Sequence, residues 1–87
     1  MRKVSKKRAA QMRQYRKQRK AYLGDNPICQ VKGCDHYATE IHHKKGRSGD
    51  MLLDEEFWMA ICHDHHRYIT DHPTWAKENG YELSRLT

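Results

Sequence analysis

Three cysteines and a scatter of histidines hold most of the chemistry available to this chain. Cys29 and Cys34 form a C-x4-C pair, and Cys62 and His65 form a C-x2-H pair. Four soft or borderline donors in two close pairs suit one tetrahedral Zn²⁺ closed by protein ligands alone. Spacing selects His65 for the fourth corner, with His63 and His66 as its neighbours. Three cysteines cannot all pair within one chain, and all three stand at metal-ligand spacings. The expected staple is therefore a metal rather than a disulfide, and the expected compartment is the reducing cytoplasm. His42 and His43 lie between the two pairs, and His66 follows the second. A closed zinc site leaves these three unused, so they are candidates for a second, open metal site, the kind that does chemistry.

Those groups need positioning, and the chain has little core to do it with. It has 87 residues, of which 37% are hydrophobic and 32% charged, so a staple is needed. Residues 5–23 lack Pro and Gly and are rich in Ala, Gln, Lys, Arg and Met. They predict a helix ending at Gly24, with Asn26-Pro27 opening a turn. Met12, Tyr15 and Tyr22 form a narrow stripe along it that can lie on the domain. Gly33 suits a tight metal-binding turn before Cys34, because glycine reaches positive φ without strain. Residues 37–43 read as a short strand that ends on the histidine pair. Residues 44–50 read as a loop, Leu52 and Leu53 as buried, and Asp54-Glu55-Glu56 as a turn. Residues 57–61 read as a second strand leading into Cys62. Residues 63–72 predict the core helix, ended by Pro73, and residues 75–79 a further helical turn capped by Gly80. Trp58, Tyr68 and Trp75 read as core, since few other large apolar groups exist to fill it. His36, His63 and His72 receive no role.

Charge divides the chain. The net charge is +6, yet residues 1–20 carry ten Lys or Arg and no acid, which leaves the other 67 residues at −4. The carriers in the helix are Lys6, Lys7, Arg8, Arg13, Arg16, Lys17, Arg19 and Lys20, preceded by Arg2 and Lys3. A one-sign block repels itself and is stabilised by a polyanion, for which nucleic acid is the first candidate. A membrane surface fits less well, because the segment offers few large apolar side chains to lipid. No apolar run approaches the ~20 residues of a membrane span, and no secretory signal stands at the start. The division places a basic helical extension at residues 1–24 and a zinc-bearing unit at residues 25–87.

In order, the motifs are Cys29-x4-Cys34, Ala38-Thr39-Glu40-Ile41-His42-His43, Gly46-Arg47 and Ile61-Cys62-x2-His65-His66. This run, about half the chain, resembles the HNH (ββα-metal) nuclease family. Asp71-His72-Pro73 with Trp75-Ala76 is similar to small phage-type members. The resemblance implies an α+β, treble-clef-like ββα-metal fold stapled by zinc. It implies that His43 is the general base and that His42 and His66 hold the catalytic divalent metal. It also implies products with 5′-phosphate and 3′-hydroxyl ends, in a phage or mobile-element setting. The middle Asn of the family motif falls on Phe57, so Asp54 or a backbone group takes over its task of orienting the loop that carries the base.

Phosphodiester hydrolysis needs a base for water and a cation for the charge on phosphate and the departing 3′ oxygen. Neutral imidazole suits the first at neutral pH. Two imidazoles can hold one Mg²⁺, Mn²⁺, Ni²⁺, Co²⁺ or Zn²⁺ with positions left open. Neighbouring residues at a strand end point in different directions, so one histidine can face the metal while the other faces water. Lys44, Lys45 and Arg47 follow on a glycine-containing loop where cations can hold backbone phosphates, Arg47 as a bidentate clamp. The expected activity is metal-dependent DNA cleavage. The rival is a non-catalytic zinc module that binds nucleic acid through its basic segment.

Overall fold

A computed structural model describes residues 6–83; Arg2 and Lys3 of the basic segment and the last four residues of the expected 25–87 unit lie outside the described residues. The elements are α1 (Lys6–Asp25), β1 (Glu40–His43), β2 (Trp58–Ile61), α2 (His63–Asp71) and α3 (Pro73–Glu78). Short 3-10 turns at Gly49–Leu52 and Glu55–Phe57 lie between the strands. The α+β class holds, as a two-stranded sheet with three helices.

The strands pair antiparallel, with Glu40 opposite Ile61, Ile41 opposite Ala60, His42 opposite Met59 and His43 opposite Trp58. Opposed residues share a face and successive residues alternate. Glu40, His42, Met59 and Ile61 therefore line one face, and Ile41, His43, Trp58 and Ala60 line the other. Both faces are covered, which is why all four residues of β2 are buried and its sequence shows no polar alternation.

On the first face, Met59 and Ile61 pack with Cys29, Val31, Cys62, Ile69 and Ala76. On the second, Ile41 and Trp58 pack with Tyr15 and Leu52, and Met12, Tyr22 and Leu23 close over them. The Met12-Tyr15-Tyr22 stripe is thus the docking edge of α1. Tyr15 and Tyr22 meet Trp58 edge-on, with ring centroids 5.6 Å and 5.4 Å apart. Such aromatic pairs add roughly 0.5–1.5 kcal/mol each beyond area burial. Polar side chains fasten the rim: Gln11 donates to the Gly49 carbonyl at 2.9 Å, Gln18 to the Leu53 carbonyl at 3.1 Å and Arg19 to the Thr39 carbonyl at 2.9 Å.

Several boundaries differ from the sequence reading. Helix α1 runs through Gly24 to Asp25; Pro27 sets the stop instead, by disfavouring helical backbone at Asn26. The Asn26 backbone and side chain both donate to the Tyr22 carbonyl and finish the last turn. The first strand begins at Glu40 rather than residue 37, because Tyr37 bridges to Ile28 and Ala38 bonds to Pro27 instead of β2. Phe57 belongs to a 3-10 turn, and β2 starts at Trp58. Pro73 ends α2 but also opens α3 at its first position, where its missing N–H leaves no bond unmade. Tyr68 is not core. It is 41% exposed and stacks on His72 at 3.9 Å, while Ile69 takes the buried position of α2.

Candidate metal centre and histidine cluster

The sequence between Pro27 and Cys34 folds into a tight turn. The Cys34 N–H bonds to the Val31 carbonyl at 2.9 Å, and Gly33 occupies φ +85°, as its position before Cys34 predicts. The turn is pinned to β2, since the Gln30 N–H donates to the Ala60 carbonyl and the Ala60 N–H to Gln30 Oε1, both at 2.8 Å. Across from it, Cys62 is the N-cap of α2, and its sulfur accepts from the His65 N–H. The C-x2-H step is therefore a helix cap whose third residue returns to the same point in space.

Ligand atoms of Cys29, Cys34, Cys62 and His65 all lie within 4.8 Å of one another. His65 Nδ1 is 3.3 Å from Cys62 Sγ and 3.9 Å from Cys29 Sγ, and the Cys34 and Cys62 sulfurs are 4.0 Å apart. Metal–sulfur bonds of ~2.3 Å and metal–nitrogen bonds of ~2.0–2.1 Å give a tetrahedron with edges of about 3.5–3.8 Å. The observed separations bracket those edges, so these four residues can hold one metal ion. All three cysteines are free thiols. Burial pushes the Cys29 thiol up to about 11, and the neighbouring thiols add to the shift. Thiols crowded this closely release their protons readily only to a cation.

The histidines at the end of β1 diverge as alternation requires. His42 and His43 are each 8% exposed. His42 turns toward α2, where its ring lies 5.3 Å from that of His66 with the two planes at 68°. His42 Nε2 donates to the Tyr81 carbonyl at 2.7 Å, with Glu82 at 3.6 Å. A carbonyl only accepts, so the proton sits on Nε2 and the lone pair of the neutral ring on Nδ1. Burial holds the His42 pKa below its ordinary value, and the Tyr81 carbonyl offsets part of that.

His43 turns toward α1. Its ring lies 5.6 Å from Tyr15 and 5.7 Å from Trp58. Its Nε2 is buried with no hydrogen-bond partner. Burial, then the charge of Arg47, then the two other histidines pull its pKa down to about 4, against a hydrogen bond to the Leu52 backbone that raises it. The Arg47 guanidinium stands 5.3 Å over the Tyr15 ring, which places it beside His43. Lys45 lies 4.6 Å over the Phe57 ring, and the Lys44 N–H donates to the Phe57 carbonyl at 2.8 Å. The Asp54 side chain is engaged elsewhere, accepting from the Glu56 N–H.

Sequence reasoning missed Glu40. Its two carboxylate oxygens meet His66 Nδ1 at 2.6 Å and His63 Nδ1 at 2.8 Å. Burial raises its pKa, but hydrogen bonds from His66 and His63 outweigh that and the net shift is downward. The signal was present: Glu40 is two residues before His42 on a strand, hence on the same face, and His63 and His66 are three apart on a helix. Glu40, His63, His66, Arg67 and Thr70 line a shallow cleft of about 240 Å³. The last four follow one face of α2 at helical spacing.

The structure thus brings together Cys29, Cys34, Cys62 and His65 in one group, and His42 with His66 in another. Arg47 joins His43 on the opposite face of the sheet. On α1, Lys6, Lys7, Arg8, Arg13, Arg16, Lys17 and Lys20 are exposed, whereas Arg19 is half-buried and tied to Thr39. Lys6, Arg13, Lys17 and Lys20 fall opposite Tyr15 around the helix, with Arg16 on their flank, and form an outward basic stripe. No helix among the described residues is long and apolar enough to cross a membrane. Comparison with protein families, curated proteins and solved structures finds no match to this chain.

Proposed function

We propose that this protein is a metal-dependent DNA endonuclease of the HNH type, built on a treble-clef-like ββα-metal unit with a structural Zn²⁺ at Cys29, Cys34, Cys62 and His65. The observation that carries the reading is the meeting of His42 and His66, 5.3 Å apart, each with one ring nitrogen tied to a fixed acceptor. Tying Nε2 of His42 and Nδ1 of His66 leaves Nδ1 and Nε2, respectively, with lone pairs for one divalent cation. Two nitrogen donors suit Mn²⁺, Ni²⁺, Co²⁺ or Zn²⁺ and serve Mg²⁺ less well. When bound, such an ion supplies Lewis-acid stabilisation of the phosphate and the departing 3′ oxygen.

His43 is assigned the general base. Its depressed pKa keeps the ring neutral at physiological pH, as a base must be. Its Nδ1 is the ring nitrogen left to donate to the Leu52 backbone carbonyl, so Nε2 keeps the lone pair and is the nitrogen assigned to take the proton of an attacking water that reaches it. Arg47, beside His43 and outside the sheet, is the phosphate clamp, with Lys44 and Lys45 on the same loop. The Phe57 carbonyl, bonded to the Lys44 N–H, takes the loop-orienting task that the family motif gives to Asn. The outward stripe of α1 supplies DNA affinity.

A second reading, a zinc module that binds nucleic acid without cutting it, draws on the same basic stripe. A plasmid-nicking assay separates the two. Protein holding only its structural zinc should nick supercoiled DNA when Mn²⁺, Ni²⁺ or Co²⁺ is added, and His43→Ala should not. Binding without cleavage by wild type, on any DNA form and with any of these ions, would leave the second reading.

A further inference from the structure

Glu40 lies at the start of β1 on the face shared with His42, and its carboxylate is held at both oxygens by two imidazoles from α2. A carboxylate gripped at both oxygens cannot rotate, so it fixes what it touches. His66 Nδ1 at 2.6 Å from Glu40 Oε1 must donate, because an ionised carboxylate only accepts. The neutral His66 ring then carries its proton on Nδ1 and its lone pair on Nε2. His42 is fixed in the opposite sense by the Tyr81 carbonyl, so the two rings are set by different partners from different elements.

We propose that Glu40 is a positioning residue, which sets the tautomer and orientation of His66 so that Nε2 is presented for a divalent cation, with His63 anchoring the other carboxylate oxygen. This rests on the proposed reading of His66 as a metal ligand. Carboxylate–histidine–metal relays of this kind raise the basicity of the ligand nitrogen and fix the direction of its lone pair. The pairing also explains His63, whose solvent-exposed ring has no other hydrogen-bond partner among the described residues. The two imidazoles come from adjacent turns of α2, so the carboxylate also ties the first strand to the helix that carries Cys62 and His65.

The test uses zinc-loaded full-length protein labelled with ¹⁵N-histidine, with Glu40→Gln, Glu40→Ala and His63→Ala alongside. Ring nitrogen shifts at pH 8 report the His66 tautomer without any second metal, with His66→Ala supplying the assignment. Titration calorimetry with Mn²⁺ and Ni²⁺ reports affinity. Wild type should show a single Nδ1–H tautomer for His66. Glu40→Ala should show a mixture and bind the added ion ~10–100-fold more weakly. Glu40→Gln keeps an accepting oxygen and should retain the tautomer with only a few-fold loss, and His63→Ala should fall between wild type and Glu40→Ala. An unchanged His66 tautomer in Glu40→Ala, or a Gln variant as impaired as the Ala variant, overturns the proposal. Failure of wild type to bind any added ion overturns the endonuclease reading instead, and the tautomer still decides whether Glu40 sets the ring. Retained zinc stoichiometry and circular dichroism show that each variant is folded.

Discussion

Two adjacent histidines with the same covalent structure end in different chemical states because one residue of strand places them on opposite sides of the sheet. His42 gives its Nε2 proton to the Tyr81 carbonyl toward α2; His43 bonds to the Leu52 backbone on the other side, enclosed by Tyr15 and Trp58 with Arg47 nearby. Replacing His43 by Ala is expected to lower the cleavage rate by ~10²–10⁴ while leaving DNA affinity and zinc content unchanged, as loss of a general base does. His42→Ala and His66→Ala should instead weaken binding of the added divalent ion, so higher Mn²⁺ should partly restore cleavage. Cleavage by His43→Ala at the wild-type rate would remove the assignment. The environment of His43 also predicts a pH dependence of stability. Its pKa is about 4 in the folded protein against an ordinary 6.5, so between those values the unfolded chain binds more protons. Stability from this group is therefore fully present above pH 6.5 and is lost as pH falls toward 4, at up to ~1.4 kcal/mol per pH unit. Denaturant midpoints measured from pH 7 to 4.5 on zinc-loaded protein should fall more steeply for wild type than for His43→Gln. Equal slopes would mean that His43 titrates normally.

At the scale of elements, α1 has two jobs on two faces. Its inner face, through Tyr15, covers the sheet and one side of His43; its outer face presents Lys6, Arg13, Arg16, Lys17 and Lys20. Changing Arg13, Arg16, Lys17 and Lys20 to Gln should leave the melting temperature nearly unchanged and weaken DNA binding at every sequence tried. The slope of log K against log salt should shrink by ~0.9 for each phosphate that is no longer neutralised. An unchanged slope would place the DNA elsewhere. Tyr15→Ala should behave differently, costing on the order of 3 kcal/mol by cavity formation while leaving the salt slope intact. This division was half legible in the sequence. The Met12-Tyr15-Tyr22 stripe announced the docking edge, and the Cys-Gly-Cys spacing announced the turn. The boundaries were not legible, because tertiary partners decide them. Residues 37–39 have the composition of strand but bond to Pro27 and Ile61 outside the regular ladder, and Pro73, a helix stop by sequence, is also a helix start. The size of Tyr68 argues for burial, but the short helix α2 has one buried position and Ile69 takes it. Glu40 is legible only through strand alternation, which puts the i−2 neighbour of His42 on the same face.

For the whole molecule, the question is what holds so little apolar material together. The sheet has only two strands, and two small clusters lie on its faces. An isolated two-stranded sheet is marginal in water unless something packs against it. On one face that support is α1. On the other it is the group of Cys29, Cys34, Cys62 and His65, which joins the turn before β1 to the start of α2 and sits inside the apolar cluster. Without a cation, three buried or half-buried thiols and an imidazole would have nothing to join them, and the cap of α2 would loosen with them. Metal binding and folding are expected to be one transition, with about one Zn²⁺ per chain. A chelator strong enough to strip it should abolish the cooperative melt and the near-ultraviolet signal of Trp58, whose ring is buried between the sheet and α1. Cys34→Ser and Cys62→Ser should do the same without chelator, and re-addition of Zn²⁺ should restore wild type but neither variant. His66→Ala, outside the tetrahedron, should keep its zinc and its melt. Metal-free protein that still unfolds cooperatively, with elemental analysis showing no zinc, would mean that the two apolar clusters suffice and that the four ligands do not staple the fold.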